Sequence, residues 1–206
     1  MGINKQDITI FVVDDEFAIR DSLTLLIESI GLKVKSYESA ATFLEHYNPE
    51  QPACMLLDIR IPYIGGLELQ EELLKRNNKI PIIFISGHAD IPLSSKAFRN
   101  GAVDVIEKPF DNEHLLQRIN EAVDKLLITW NEVQKKRQIL ERYAQLTERE
   151  KEVFMLIVHN HSNKQAAKIM GISNRTVDVH RAHLMEKMQA DSLNTLTIMA
   201  MLMKIL

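Results

Sequence analysis

The chain has 206 residues, 46% of them hydrophobic, with only seven glycines and six prolines; this suits one large or two small packed domains and excludes a largely disordered protein. A net charge of −3 hides a division, because residues 1–128 carry 13 basic against 20 acidic side chains, residues 129–141 carry +1, and residues 142–206 carry 9 against 6, a balance compatible with a polyanionic partner. The single cysteine, Cys54, excludes an internal disulfide framework, no run approaches the ~20 apolar residues of a bilayer span, and the N-terminal stretch is too short for a signal peptide, so a cytoplasmic protein is expected.

In chain order, Ile8 to Val13 is a β-rich run that ends in Asp14-Asp15-Glu16. Ile19, Leu23, Leu26, Ile27 and Ile30 then fall on one helical face, which Gly31 stops. Val34 to Tyr37 is the next strand, and Ser39 caps a short helix through Phe43, Leu44 and Tyr47. Cys54 to Leu57 are four apolar residues closed by Asp58, with Pro62 and Gly65-Gly66 just beyond. A run so short and apolar on both faces predicts a strand buried under helices. A helix over Leu67 to Arg76, a strand over Pro81 to Gly87 containing Ser86, a helix closed by Ala97, Phe98 and Gly101, and a strand over Val103 to Pro109 complete the pattern. Five such alternations predict an α/β doubly wound, five-stranded parallel sheet of the flavodoxin-like type.

Asp14, Asp15, Asp58, Ser86 and Lys108 all fall at carboxyl ends of these strands, the edge where open parallel sheets bind ligands. Singly, each has a plain use: a cap, a turn or a solvated charge. Together, three converging carboxylates repel one another and call for a cation, and hard oxygen ligands with room for water favour Mg²⁺.

On these motifs residues 7–125 resemble a response-regulator receiver domain. The resemblance implies that Asp58 is the phosphoacceptor, supplied by the phosphohistidine of a sensor histidine kinase. It implies Mg²⁺ held directly by Asp15, Asp58 and the backbone carbonyl of Arg60, with Asp14 acting through water. Lys108 and Ser86 would bind the phosphoryl oxygens, and Lys108-Pro109 would be cis. One departure stands out: many receivers carry an aromatic switch residue three positions before the lysine, and here that position is Val105. A switch without that ring is expected to run through the Ser86-Gly87-His88 loop.

From Asp111 the pattern becomes one long helix. Leu116, Ile119, Val123, Leu126, Trp130 and Val133 follow steps of three and four, and Leu140 resumes the seam after Arg137. Packing on the sheet is expected up to about Leu127 and helix pairing beyond it. Residues 126–141 are thus expected to be a helical linker, with Leu126, Trp130, Val133 and Leu140 as its linker and dimer positions and Lys135, Lys136 and Arg137 on a solvated face.

Thr147-Glu148-Arg149-Glu150 is a capping box, and Ser162-Asn163-Lys164-Gln165 repeats it. Gly171-Ile172 turns the chain and Ser173 caps a further helix, with Val177, Leu184 and Met188 inward and Asn174, Arg175, Asp178 and Arg181 outward. Two helices joined by a short Gly-containing turn form a helix-turn-helix signature, which small helical bundles share. On these stretches residues 142–206 resemble the LuxR-type DNA-binding domain of the NarL/FixJ regulators, nearest to FixJ-like ones. The resemblance places Asp178, Val179 and Ala182 at base edges and Asn163, Lys164, Arg175, His180, Arg181 and Lys187 on phosphates. His159/His161 and His180/His183 lack thiols and finger spacing, so solvated or phosphate-facing histidines are expected rather than zinc ligands.

The expected function is that of a phosphorylation-dependent, DNA-binding transcriptional regulator that forms a homodimer. Two other readings share parts of the pattern. A phosphorylation-switched interaction module would never touch DNA. An aspartyl phosphohydrolase would need a second carboxylate two residues after Asp58, where Arg60 stands.

Overall fold

The computed structural model describes residues 3–87 and 91–205. It divides into two compact units, Met1–Asn131 and Glu132–Leu206. In the first, β1 (Thr9–Val13), β2 (Lys33–Tyr37), β3 (Ala53–Asp58), β4 (Ile82–Ser86) and β5 (Asp104–Glu107) form one sheet in the order β2-β1-β3-β4-β5. Every pairing is parallel. Between the strands run α1 (Phe17–Glu28), α2 (Ala40–His46), α3 (Gly66–Lys75) and α4 (Ile91–Arg99). The doubly wound sheet expected from the sequence is thus the observed fold.

The period of two along each strand divides the core into two layers. Ile10, Val12, Cys54, Leu56, Ile83 and Ile85 face one way, against Leu23 and Ile27 of α1 and residues of the long helix α5 (Asn112–Ala144). Phe11, Val13, Met55, Leu57, Ile82 and Phe84 face the other way, against Phe43, Leu69, Leu73 and Ala97 of α2, α3 and α4. The central strands are therefore buried on both faces, as their unbroken apolar sequences require. Edge strand β2 instead exposes Lys33, Lys35 and Ser36, which discourages pairing with another chain.

Residues of α5 up to Asn131 belong to the first unit and those from Glu132 to the second. Leu115, Ile119, Ala122, Val123 and Leu126 are buried on the sheet, and Trp130 packs partly against the same core. The sheet packing expected up to about Leu127 thus holds for Leu126 and extends to Trp130, because the sheet offers both apolar surface to cover. Val133 and Leu140 are exposed, at 63% and 44%, as an unpartnered seam would be. The second unit instead takes Ile139, one position off that seam, into its own core. The division between Asn131 and Glu132 also falls inside the stretch 126–141 expected to form a separate linker.

The second unit contains α6 (Glu148–Val158), α7 (Asn163–Met170), α8 (Asn174–Met188) and α9 (Leu193–Met203) around a core of Val153, Phe154, Ile157, Ala166, Val177, Leu184, Met188 and Leu196. Thr147, Ser162 and Ser173 cap three of these helices by accepting from the backbone amides of Glu150, Gln165 and Thr176. No expectation covered α9, whose apolar residues run almost all round the helix, although Ser192 caps it in the same way.

Candidate functional site

The strand order reverses direction between β1 and β3, the place where a crevice opens at the carboxyl ends of a parallel sheet. Asp14 and Asp15 follow β1, and Asp58 ends β3. One oxygen from each of these carboxylates can be chosen so that all lie within 4.8 Å of one another. Asp14 and Asp58 are buried, whereas Asp15 is exposed. Lys108, one residue beyond β5, donates from Nζ to Asp14 Oδ2 at 2.8 Å and to Asp58 Oδ2 at 2.7 Å. The expected convergence of Asp14, Asp15, Asp58 and Lys108 is therefore observed.

Each carboxylate is also held by backbone. Asp14 Oδ1 accepts from the Glu16 amide at 2.9 Å, and Asp58 Oδ1 accepts from the Arg60 amide at 2.8 Å. Arg20, which sequence reasoning missed, donates Nη1 to the carbonyls of Asp14 and Asp15 at 2.8 and 2.9 Å and so ties the acidic turn to α1. Its place one helical turn into α1 was the available signal. Gly66 is a second omission: a Cβ there would meet the Asp58 carbonyl oxygen at 2.2 Å, so only glycine lets α3 start this close to β3.

Ser86 is fully buried at the end of β4, and its carbonyl accepts from the Lys108 amide at 2.7 Å. Lys108-Pro109 is cis. Val105 is half-buried and packs against the α2–α4 face of the core. Of the loop expected to carry the switch, His88 lies outside the described residues.

The electrostatics tie the buried acids to the lysine. Burial pushes the Asp14 carboxyl above the usual carboxylate range, against the pull of Lys108 and the Glu16 amide. Burial works to lower the Lys108 ammonium, but its hydrogen bonds to Asp14 and Asp58 prevail and hold it above the usual lysine value. Three carboxylates with oxygens within 4.8 Å of one another fit a hard divalent cation, whose octahedral shell sets its oxygens roughly 3 Å apart when adjacent and roughly 4 Å when opposite.

In the second unit, Lys164, Asn174, Arg175, Asp178, Val179 and Ala182 are exposed, and Asn163, His180 and Arg181 are half-buried. They gather on the outward side of α8 and the start of α7. Asn163 donates Nδ2 to Asp178 Oδ1 at 2.6 Å and accepts from Arg181 Nη1 at 2.8 Å. Lys187, a phosphate contact by the resemblance, is half-buried. Its ammonium lies 2.7 and 3.0 Å from the two oxygens of the buried Glu150, so it ties α8 to α6. His159 Nδ1 lies 2.8 Å from the Met155 carbonyl of its own helix.

Residues 10–120 match the family model of the response regulator receiver domain, and residues 144–200 match that of the bacterial regulatory proteins of the luxR family. The chain is 39% identical over 187 residues to the response regulator protein TodT of Pseudomonas putida, covering 91% of this chain and 82% of that one. It is 38% identical over 197 residues to the transcriptional regulatory protein FixJ of Azorhizobium caulinodans, covering 96% and 93%. The solved structure of the response regulator StyR superimposes with a TM-score of 0.88 at 37% identity, over 95% of this chain and 98% of that one. Full-length FixJ from B. japonicum gives 0.57 at 36% identity, over 96% and 98%. With an acid-and-lysine pocket in a receiver fold and a capped helix-turn-helix after it, this chain belongs to the two-component response regulators with a LuxR-type DNA-binding domain, and is a transcriptional regulator of that class.

Proposed function

We propose that Asp58 accepts a phosphoryl group from the phosphohistidine of a sensor histidine kinase, and that the phosphorylated protein dimerises and binds DNA. The observation that carries this is the Lys108 ammonium placed 2.7 Å from an Asp58 oxygen. An Asp58 carboxylate oxygen attacks phosphorus, the P–N bond breaks, and its electron pair leaves with the imidazole. Asp58 is held for attack by the Arg60 amide on one oxygen and Lys108 on the other. Asp14, Asp15, Asp58 and the Arg60 backbone carbonyl would hold Mg²⁺, which when bound neutralises charge on the transferring group. Phosphoryl transfer is governed by positioning and charge neutralisation, and Lys108 supplies part of the latter.

Ser86 is the further phosphoryl-binding residue in this reading. With Val105 in place of an aromatic ring, the response travels through the backbone around Ser86 and Gly87. Two recognition helices, one from each protomer, address half-sites about one DNA turn apart, ~34–36 Å. Val133 and Leu140, exposed on α5, are positions where the protomers pair. Asp178, Val179 and Ala182 face bases, with Asn174, Lys164, Arg175 and His180 toward the backbone. Work on DNA, together with a lone buried thiol, suits the cytoplasm.

The test is Asp58→Asn, nearly isosteric but a poor nucleophile. It should fold normally, take no label from phosphorylated kinase and lose phosphorylation-stimulated DNA binding. Full labelling of that variant would place the acceptor elsewhere. Steady multiple-turnover hydrolysis of a phosphomonoester by the unaltered protein would favour a phosphohydrolase instead.

A further inference from the structure

We propose that Asn163 is a positioning residue for base recognition: it holds Asp178 so that the free carboxylate oxygen accepts from an exocyclic amine in the major groove. The inference rests on the DNA-binding reading above and adds to it a residue and the chemical group it serves.

Asp178 and Arg181 stand three apart on α8, the spacing at which opposite charges on a helix draw together. Paired directly, the two would satisfy each other and offer the groove little. Asn163, the first residue of α7, stands between them instead. Its Nδ2 donates to Asp178 Oδ1 at 2.6 Å and its Oδ1 accepts from Arg181 Nη1 at 2.8 Å. An amide is suited to this place because it donates to a carboxylate and accepts from a guanidinium at once. The Ser162 capping box fixes the start of α7, so the amide is presented from a rigid helix end.

The bridge leaves Asp178 Oδ2 without a partner among the described residues, on an exposed side chain of the outward face. A lone carboxylate oxygen is an acceptor only. In the major groove it suits the amine on cytosine C4 or adenine C6, cytosine being the usual partner of an acidic side chain. The same bridge turns one edge of the Arg181 guanidinium toward the protein and keeps its remaining N–H groups for the DNA backbone. Asn163 is then not itself a phosphate contact.

The experiment is selection from a randomised duplex pool by the full-length protein carrying phosphate. The panel is the unaltered chain, Asn163→Ala, Asp178→Ala, the double variant and Asp178→Asn, each checked for an unchanged thermal transition. The unaltered chain should prefer one base pair per half-site by on the order of tenfold at the position that Asp178 faces. Cytosine or adenine there identifies which amine is read. Asp178→Ala and Asn163→Ala should both flatten that one position, and the double variant should do no more than either alone. Asp178→Asn should move the preference toward adenine. If Asn163→Ala keeps every base preference and only weakens binding to all sequences, with a salt slope reduced by ~0.9, Asn163 is a phosphate contact and the proposal fails. It fails equally if Asp178→Ala leaves the selected sequence unchanged. If the unaltered protein selects no sequence at all, the DNA-binding reading falls and the inference with it.

Discussion

The Lys108 ammonium lies 2.7 Å from the Asp58 carboxylate, and the same nitrogen reaches Asp14 at 2.8 Å. A divalent cation entering this pocket therefore competes with a lysine already bound to two of its three acids. Lys108→Met should bind Mg²⁺ more tightly, by about tenfold or more, since even two unit charges about 4 Å apart interact by ~4 kcal/mol at an effective dielectric of 20. Calorimetric titration of both proteins at one ionic strength checks it. The same variant should take up the phosphoryl group more slowly and fail to pass the change on, because the cation that neutralises the transferring group and links β5 to Asp58 is gone.

Gly65 and Gly66 are adjacent but should respond differently to a methyl group. A Cβ at Gly66 meets the Asp58 carbonyl oxygen at 2.2 Å, whereas at Gly65 the nearest atom is the Ile59 carbonyl oxygen at 3.7 Å. The obstacle at Gly66 is backbone and cannot rotate away. Gly66→Ala should lose about 1–3 kcal/mol of stability in urea unfolding and slow phosphorylation of Asp58, while Gly65→Ala should do neither.

Glu150 gives the second unit a pH dependence. Burial works to raise its carboxyl, but hydrogen bonds from Lys187 and Thr147 prevail and hold it below the ordinary glutamate value of about 4.3. A carboxyl lowered in the folded state contributes stability above its unfolded pKa and loses it as pH falls through the folded one. Circular dichroism of urea unfolding should show the second unit weakening below about pH 4.3 more steeply than in Glu150→Gln. At neutral pH that substitution should cost about 1–3 kcal/mol, because a partly exposed Lys187 recovers water when its partner is lost.

Cys54 should be inert in the folded protein. It is 3% exposed within β3, and burial pushes its thiol up to about 12, so thiolate is scarce at neutral pH. A thiol reagent should modify it only at the rate of unfolding, with reactivity rising on addition of urea. Rapid stoichiometric labelling under native conditions would contradict the burial of β3.

The elements were legible because this chain punctuates them clearly. Asp14-Asp15, Ser39, Gly31 and the capping boxes at Thr147 and Ser162 each mark a boundary with a side chain whose local chemistry requires one. Doubly buried strands declared themselves in the unbroken apolar runs before Asp14, Asp58 and Ser86. Helix α9 escaped notice although Ser192 caps it, since apolar residues almost all round a helix show no preferred face. A heptad seam likewise states that one side of a helix is apolar without stating what covers it. For Leu126 and Trp130 the sheet covers it, and the neighbouring Ile139 reaches a different core.

Sequence alone determined the alternation of strands and helices, the capped helix-turn-helix and the set of acids and lysine at one sheet edge, because each follows from local propensity, period and residue chemistry. Which polar groups meet was decided only by tertiary structure. Lys187 could be assigned to phosphate and Asn163 to DNA from position alone, yet their partners Glu150, Asp178 and Arg181 stand 15 to 37 residues away. A hydrogen bond between side chains depends on helices brought together by packing, and no local pattern encodes that distance.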